Sequence, residues 1–368
     1  MQAITIHSTK AKISTVPLPK LEPTLILAKV EAIALNPTDW KHIAFDIAPP
    51  NAICGCDFAG TVIEVGSAVT KSLKPGDRIA GVVHGAKDAE NGAFAEYCVA
   101  QGDLAIRIPD ELSFEKAATL PLGIATVGQG LYQQGLKLPL PIPAPVSKTS
   151  GEQVLIYGGS TATGSLAIQF ARLSGHEVLT TCSARNNELV RSLGAKQVYD
   201  YRSASIGAKI NSDTNNGLRL IYDTIGSPDS AKICQEAMSS DTKGTRYATI
   251  IGPPAEFKKE GVEPVVTMMY TIFNSPMMYF GQHVPAIADD YEFGKVFFGI
   301  TEQLLAEGRL KTHPEVVGGK GLEGALEGMR EMSEEKVSGV KLVYRVADTP
   351  VGSEAEADFG EAEEDGAA

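Results

Sequence analysis

The 368-residue chain contains no run of about 20 apolar residues, so no membrane-spanning helix is expected. Its first residues, Met1-Gln2-Ala3-Ile4-Thr5-Ile6-His7, lack the basic-then-apolar pattern of a secretory signal, and the expected compartment is the cytosol. Cysteine is scarce: Cys54, Cys56, Cys98, Cys182 and Cys234 are five, an odd number with no paired CxxC spacing. That argues against a disulfide framework and against a four-cysteine zinc lobe, and the nearby thiols of Cys54 and Cys56 alone do not close a tetrahedral site. Basic charge is also short, with a net charge of −12. Eight carboxylates (Asp348, Glu354, Glu356, Asp358, Glu361, Glu363, Glu364, Asp365) and no Lys or Arg lie from 348 to the end, so this stretch carries −8 and the body only −4. A near-neutral body gives no support for nucleic-acid binding, and the tail reads as a disordered, solvating segment.

What is present is an ordinary globular composition, 43% hydrophobic and 21% charged, long enough for two cores. Up to about residue 120, short β-like runs alternate with turn residues: 25–30, 60–66 and 77–83. Ser113 is a good N-cap for a helix leading into Leu120-Pro121-Leu122-Gly123, with a further helical segment through Leu131. The proline-rich stretch 138–145 reads as an extended surface connection. Strands at 154–157, 177–182, 197–201, 218–223 and 245–251 then alternate with helices near 165–173, 187–193 and 229–238, the signature of a doubly wound parallel sheet. Near the end, 293–307 reads as an amphipathic helix and 341–346 as a strand returning to the first domain.

The stretch Val154-Leu155-Ile156-Tyr157-Gly158-Gly159-Ser160-Thr161-Ala162-Thr163-Gly164 reads as buried strand, glycine turn and helix start, the arrangement that holds a dinucleotide pyrophosphate. Thr161 and Ala162 stand where close backbone approach often calls for glycine, and the hydroxyls of this turn are expected to help backbone amides hold phosphate. Past the second strand, an Asp or Glu would accept hydrogen bonds from the ribose hydroxyls of NAD. This chain has Ser183-Ala184-Arg185-Asn186 instead. A hydroxyl and a guanidinium there, with no carboxylate to repel a 2′-phosphate, favour NADP over NAD.

Asn36-Pro37-Thr38-Asp39-Trp40-Lys41, Gly55-Cys56-Asp57-Phe58-Ala59-Gly60, Pro75-Gly76-Asp77-Arg78-Ile79, Gly92-Ala93-Phe94-Ala95-Glu96-Tyr97 and Leu120-Pro121-Leu122-Gly123 occur in the order seen in medium-chain dehydrogenases/reductases. Within that superfamily the chain resembles fungal trans-acting enoyl reductases, which serve polyketide synthases whose own enoyl reductase domain is missing or inactive. The resemblance implies an α/β architecture, a GroES-like β-rich catalytic domain plus a Rossmann doubly wound parallel sheet. Its expected boundaries are 1–125, 126–290 (Rossmann), 291–347 (return to the catalytic domain) and 348–368 (tail). Zinc-dependent members place a cysteine near Pro37 or Thr38 and a His-Glu pair where this chain has Cys56-Asp57, so no metal is expected.

By the same resemblance, NADP contacts Thr38, Asp39, Trp40, Lys41, Ser160, Thr161, Ala162, Thr163, Ser183, Ala184, Arg185, Asn186, Tyr201, Ile251, Gly252, Gly339 and Val340. Lys41 is expected to anchor the nicotinamide ribose or to aid enolate stabilisation, and Thr126 to lie beside the nicotinamide as a catalytic hydroxyl. The substrate wall falls on Val127, Gly128, Gln129, Gly130, Leu131, Tyr132, Gln133 and Gln134, and on Met278, Tyr279, Phe280, Gly281 and Gln282. The Met and aromatic residues of the second segment read equally as buried core or a subunit contact. The implied activity is NADPH-dependent reduction of an α,β-unsaturated thioester on the acyl carrier of a polyketide synthase, or of a hybrid polyketide/peptide synthetase, by a monomer. Two alternatives remain at this stage: a zinc-free quinone or alkenal reductase acting on free small molecules, and a non-catalytic NADPH-binding protein.

Overall fold

A computed structural model describes residues 1–141, 151–252 and 257–360. The chain divides into two units, Met1–Leu122 together with the residues from Tyr270 onward, and Gly123–Met269. The return to the first unit thus begins at Tyr270, some twenty residues ahead of the boundary expected at 291, and the first break precedes Gly123 instead of residue 126. The reason is local: Tyr270 and the hairpin of Met277–Tyr279 with Gln282–Val284 pack against first-unit residues such as Thr38, His84 and Phe45.

The second unit is a six-stranded, wholly parallel sheet in the order Gln197–Tyr199, Glu177–Thr181, Gln153–Tyr157, Leu220–Asp223, Arg246–Thr249, Pro264–Val266. Its central strands are continuous apolar runs because helices cover both faces of such a sheet. The chain winds outward from Gln153–Tyr157 and then returns to its other side at Leu220–Asp223, so the order reverses between these two strands. In open α/β sheets ligands bind outside the carboxyl ends of the strands at such a switch point. The helix Ala162–Leu173 leaves that point and buries Leu166, Ile168, Phe170 and Leu173. Each such side chain stabilises the fold by about 1.5–3 kcal/mol when fully buried.

The first unit is β-rich. The ten-residue strand Leu25–Ala34 lies at the centre of a seven-stranded sheet and pairs with Asp57–Val65, Tyr97–Gln101 and Lys341–Arg345. The alternation of inward Ile26, Ala28 and Val30 with outward Lys29 fixes its register. The same core takes Phe58, Ile79 and Phe94, and the helix Gly321–Ser333 closes it with Leu322, Leu326 and Met329.

The expectation of a disordered tail from 348 is corrected by a strand. Glu356–Asp358 pairs antiparallel with Lys10–Thr15, extending the hairpin of Gln2–His7 with Lys10–Thr15. Ala357 is buried against Ala11, and Lys10 lies 3.3 Å from Glu356 and 3.5 Å from Asp358. Composition misled because backbone pairing to an open edge and one inward methyl suffice to order a short acidic segment. Residues 361–368 and 142–145, the latter part of the expected proline connection, lie outside the described residues.

Candidate active site

In the second unit the turn between Gln153–Tyr157 and Ala162–Leu173 is held from within. Gly158 adopts φ +81°, a conformation open to glycine at no steric cost. Its N–H donates to Thr181 Oγ1 at 3.0 Å, and Gly159 N–H donates to Thr181 O at 2.9 Å. A Cβ at Gly159 would stand 2.0 Å from Thr180 Oγ1, and one at Gly164 would stand 2.2 Å from Gly158 O. The helix start therefore sits against the strand end more closely than any side chain allows. Thr161 is the helix N-cap: its hydroxyl accepts from Gly164 N–H at 2.9 Å and lies 3.1 Å from Thr224 Oγ1. That hydroxyl, expected to help hold phosphate, is engaged within the protein in this structure. The half-buried Ser160 and Thr163 hydroxyls carry no partner among the described residues.

The loop after Glu177–Thr181 forms a single 3₁₀ turn, Ala184–Asn186. Among the described residues Arg185 is exposed with no ion pair, and Asn186 Nδ2 is a buried donor without a partner. Tyr201 follows the neighbouring strand and is 41% exposed, and Ile251 and Gly252 follow Arg246–Thr249, half-buried. All these expected cofactor residues of the second unit lie beyond the carboxyl ends of parallel strands. Thr126 and the adjoining segment are placed differently. Thr126 is 7% exposed in Pro121–Val127 and its carbonyl accepts from Tyr222 Oη at 3.2 Å. Val127 and residues 128–132 are buried, and Tyr132 packs on Phe170 with its hydroxyl 2.9 Å from Ser174 Oγ.

In the first unit Thr38, Asp39, Trp40 and Lys41 share the helix Pro37–Ala44, with proline at the first turn where its missing N–H costs nothing. Asp39 Oδ2 accepts from Asn36 N–H at 2.6 Å, while its Oδ1 is buried without a partner. Burial, with the Asp57 charge in support, pushes the Asp39 carboxyl up to about 7. Lys41 is half-buried, its amine 5.8 Å from the Trp40 ring, and burial lowers its pKa. Trp40 Nε1 is a buried donor with no partner among the described residues.

Asp57 is the anchor of this region. Its Oδ2 accepts from Lys341 Nζ at 2.5 Å and from Asn36 Nδ2 at 2.9 Å, and its Oδ1 accepts from Leu122 N–H at 2.7 Å. Lys341 follows Gly339 and Val340 directly, so this pair brings that expected cofactor loop to the start of the Thr38 helix. The residue at the second zinc-ligand position of metal-dependent relatives is thus a saturated structural carboxylate. Beside it, burial holds the Cys56 thiol well above its ordinary pKa, protonated and a poor metal donor. Among the described residues no group of three or more His, Cys, Asp or Glu could hold a metal ion.

The second expected substrate segment lies on the hairpin near this helix: Met278 is 63% exposed, and the Phe280 ring centroid is 6.1 Å from that of Phe45. Four residues escaped the sequence reading. Tyr270, His42 and His84 form a buried aromatic group, with His84 stacked on Tyr270 at 4.3 Å, and Lys341 neutralises Asp57. Only Asp57, a charge opening the apolar run Phe58-Ala59-Gly60-Thr61-Val62, was a local signal that a partner must exist.

Two family models match, Alcohol dehydrogenase GroES-like domain over residues 22–110 and Zinc-binding dehydrogenase over residues 162–276. A solved alcohol dehydrogenase superfamily protein from Novosphingobium aromaticivorans shares the fold, with a TM-score of 0.74 at 22% identity, covering 94% of this chain and 99% of that one. A GroES-like unit with a parallel dinucleotide-type sheet defines a medium-chain dehydrogenase/reductase. The trans-enoyl reductase resD of Aspergillus sclerotiorum is 42% identical over 94% of this chain and 100% of its own. A trans-enoyl reductase of Alternaria alternata is 40% identical over 94% and 98%. The chain belongs to the fungal trans-enoyl reductase family.

Proposed function

We propose that this protein is an NADPH-dependent, trans-acting enoyl reductase of polyketide biosynthesis, reducing the α,β double bond of a thioester carried on the acyl carrier of a polyketide synthase or a hybrid polyketide/peptide synthetase. The observation that carries this reading is the 42% identity to a trans-enoyl reductase across essentially the whole length of both chains. The protein works as a monomer in the cytosol beside its synthase.

The residues present fit the cofactor. The Gly159 and Gly164 positions form a cradle that a Cβ would fill, and Ser160, Thr163, Trp40 Nε1 and Asn186 Nδ2 are donors left open for a ligand. NADPH, when bound, supplies hydride to the β-carbon of the substrate. The helix start at Ala162 offers backbone N–H groups and a positive dipole end to the pyrophosphate, with Ser160 and Thr163 beside it. Ser183 and Arg185 would take the 2′-phosphate, and Tyr201, Ile251 and Gly252 would hold further parts of the cofactor. Thr38, Asp39, Trp40, Lys41, Gly339 and Val340 serve the nicotinamide half. Lys41, its pKa lowered by burial, would anchor the nicotinamide ribose or aid enolate stabilisation, and Thr126 would serve as a hydroxyl toward the nicotinamide.

The test is NADPH consumption with an enoyl thioester offered free and on a carrier domain. Saturation of the alkene, faster with the carrier-bound form, is expected. NADPH binding with no alkene reduction in either form overturns the reading.

A further inference from the structure

A reduced enoyl thioester needs a proton at its α-carbon, and the first unit holds a pair of hydroxyls in hydrogen-bond contact. Thr38 Oγ1 is 2.6 Å from Tyr270 Oη, and Tyr270 Oη is 3.9 Å from Cys56 Sγ. His42 Nδ1 lies 2.7 Å from Thr38 O and 3.1 Å from Thr38 Oγ1. A carbonyl can only accept, so Nδ1 carries the hydrogen and His42 donates to Thr38. Burial keeps His42 neutral and its ring edge-on to Tyr270, 5.7 Å between centroids. Cys56 is protonated for the same reason and has its S–H to offer. Thr38 Oγ1 and Tyr270 Oη can each donate to the other across 2.6 Å, and in the arrangement that serves the reaction the phenol donates to Thr38 Oγ1 while His42 holds the Thr38 carbonyl. In that arrangement the Thr38 O–H is left to donate outward. Thr38 is half-buried, whereas Tyr270 is 5% exposed, so Thr38 is the outward member of the pair.

We propose that Thr38 is the catalytic acid that protonates the α-carbon, with Tyr270 as the positioning residue that resupplies its proton and His42 fixing its orientation. This rests on the enoyl-thioester reading. Once the β-carbon has received hydride, the former double-bond pair resides in a thioester enolate. The α-carbon forms a C–H bond with the Thr38 proton as that O–H breaks. Thr38 Oγ1 takes the phenolic proton of Tyr270 in the same step. Burial holds the Tyr270 phenol well above its ordinary pKa, so the phenolate left behind, still less basic than the enolate, is short-lived and regains a proton from water as product leaves. The net uptake is one proton per hydride, and no further co-reactant is required. Stacking on His84 and enclosure by His42 hold the phenol where it must sit.

The experiment uses the full chain, NADPH and a 2-methyl-2-enoyl N-acetylcysteamine thioester in D2O. Wild-type protein is expected to give one α-deuterated stereoisomer. Tyr270→Phe and Thr38→Val are expected to lower kcat by about 10²–10⁴-fold, the usual contribution of a general acid. Product α-configuration scrambles while the NADPH Kd of Tyr270→Phe stays within about twofold of wild type. Thr38→Ser restores both rate and configuration. In the ligand-free protein, a 3-fluorotyrosine at 270 is expected to shift its ¹⁹F resonance in Thr38→Val, which reads the hydrogen bond without turnover. Tyr270→Phe with unchanged kcat and a single α-deuterated isomer overturns the inference while leaving the enoyl reductase reading intact. A wild-type protein that binds NADPH and reduces no enoyl thioester overturns that reading instead.

Discussion

Asp57 in the first unit and the 158–164 turn in the second are both polar features set at the ends of buried strands, and they are built in opposite ways. Both oxygens of Asp57 are engaged, by Lys341, Asn36 and the Leu122 N–H. The turn satisfies its own backbone through Thr161, Thr181 and Thr224 but leaves the hydroxyls of Ser160 and Thr163 open. A saturated buried carboxylate holds the fold together and has nothing left for a ligand. Donors left open on a rigid frame stay available, and a ligand that displaces their water completes them. The same division separates Thr161 from its neighbours within four residues of chain.

The largest expected effect comes from breaking the saturated side. Lys341 and Asp57 are 3% and 0% exposed, and removing one partner of such a buried pair costs about 3–5 kcal/mol. Lys341→Met is expected to lose that much in urea unfolding, and Asp57→Asn with Lys341→Met to recover part of it. A loss below about 1 kcal/mol would sink the distinction, since Asp57 would then tolerate an open valence as readily as the turn does.

Gly164→Ala attacks the open side through its frame. Its Cβ would meet Gly158 O at 2.2 Å and Gly159 Cα at 2.8 Å, both backbone, so the turn must open. NADPH affinity measured by protein fluorescence is expected to fall more than about tenfold, the equivalent of about 1.4 kcal/mol. Gly299→Ala is the control, an exposed helical position with nothing within 4 Å, and is expected to leave binding unchanged. Equal effects from the two would mean that close approach at the turn is irrelevant to the ligand.

Arg185→Ala removes one open donor and leaves the frame alone. NADPH is expected to bind about 10- to 100-fold more weakly, the scale of one charge-assisted hydrogen bond, with NADH affinity unaltered. Parallel loss of both cofactors would place Arg185 on a group they share and remove it from the 2′-phosphate.

The two sides differ in how far they were legible. The turn, its strand and its helix are contiguous, so the apolar run 154–157, the glycine turn with its helix start and the missing acid at 183–186 could be read directly, whereas the N-cap role of Thr161 could not. Asp57 and Lys341 are 284 residues apart, and Thr38 and Tyr270 are 232 apart, with no periodicity to link them. The tail strand Glu356–Asp358 was hidden for the same reason: its order comes from Lys10–Thr15 and from no property of its own sequence. Local chemistry announces open sites built on one turn, whereas saturated clusters are assembled by topology.

Asp39 falls between the two kinds, with one oxygen engaged and the other buried and open. Its carboxyl keeps its proton up to about 7, against an ordinary value of 3.8. Between those limits the folded state binds more protons than the unfolded chain, so this group makes stability fall as pH rises through the window and adds no further slope above it. His84, lowered to about 3 chiefly by burial, acts with the opposite sign below its ordinary 6.5, so the raw profile mixes the two. Asp39→Asn keeps an oxygen for the Asn36 N–H and cannot ionise. The difference in unfolding free energy between variant and wild type isolates Asp39, and it is expected to grow in favour of the variant from pH about 4 to about 7 and then level off. A difference that stays flat with pH would mean that Asp39 ionises as freely as a solvated carboxylate, and that its open oxygen is satisfied in solution as fully as those of Asp57.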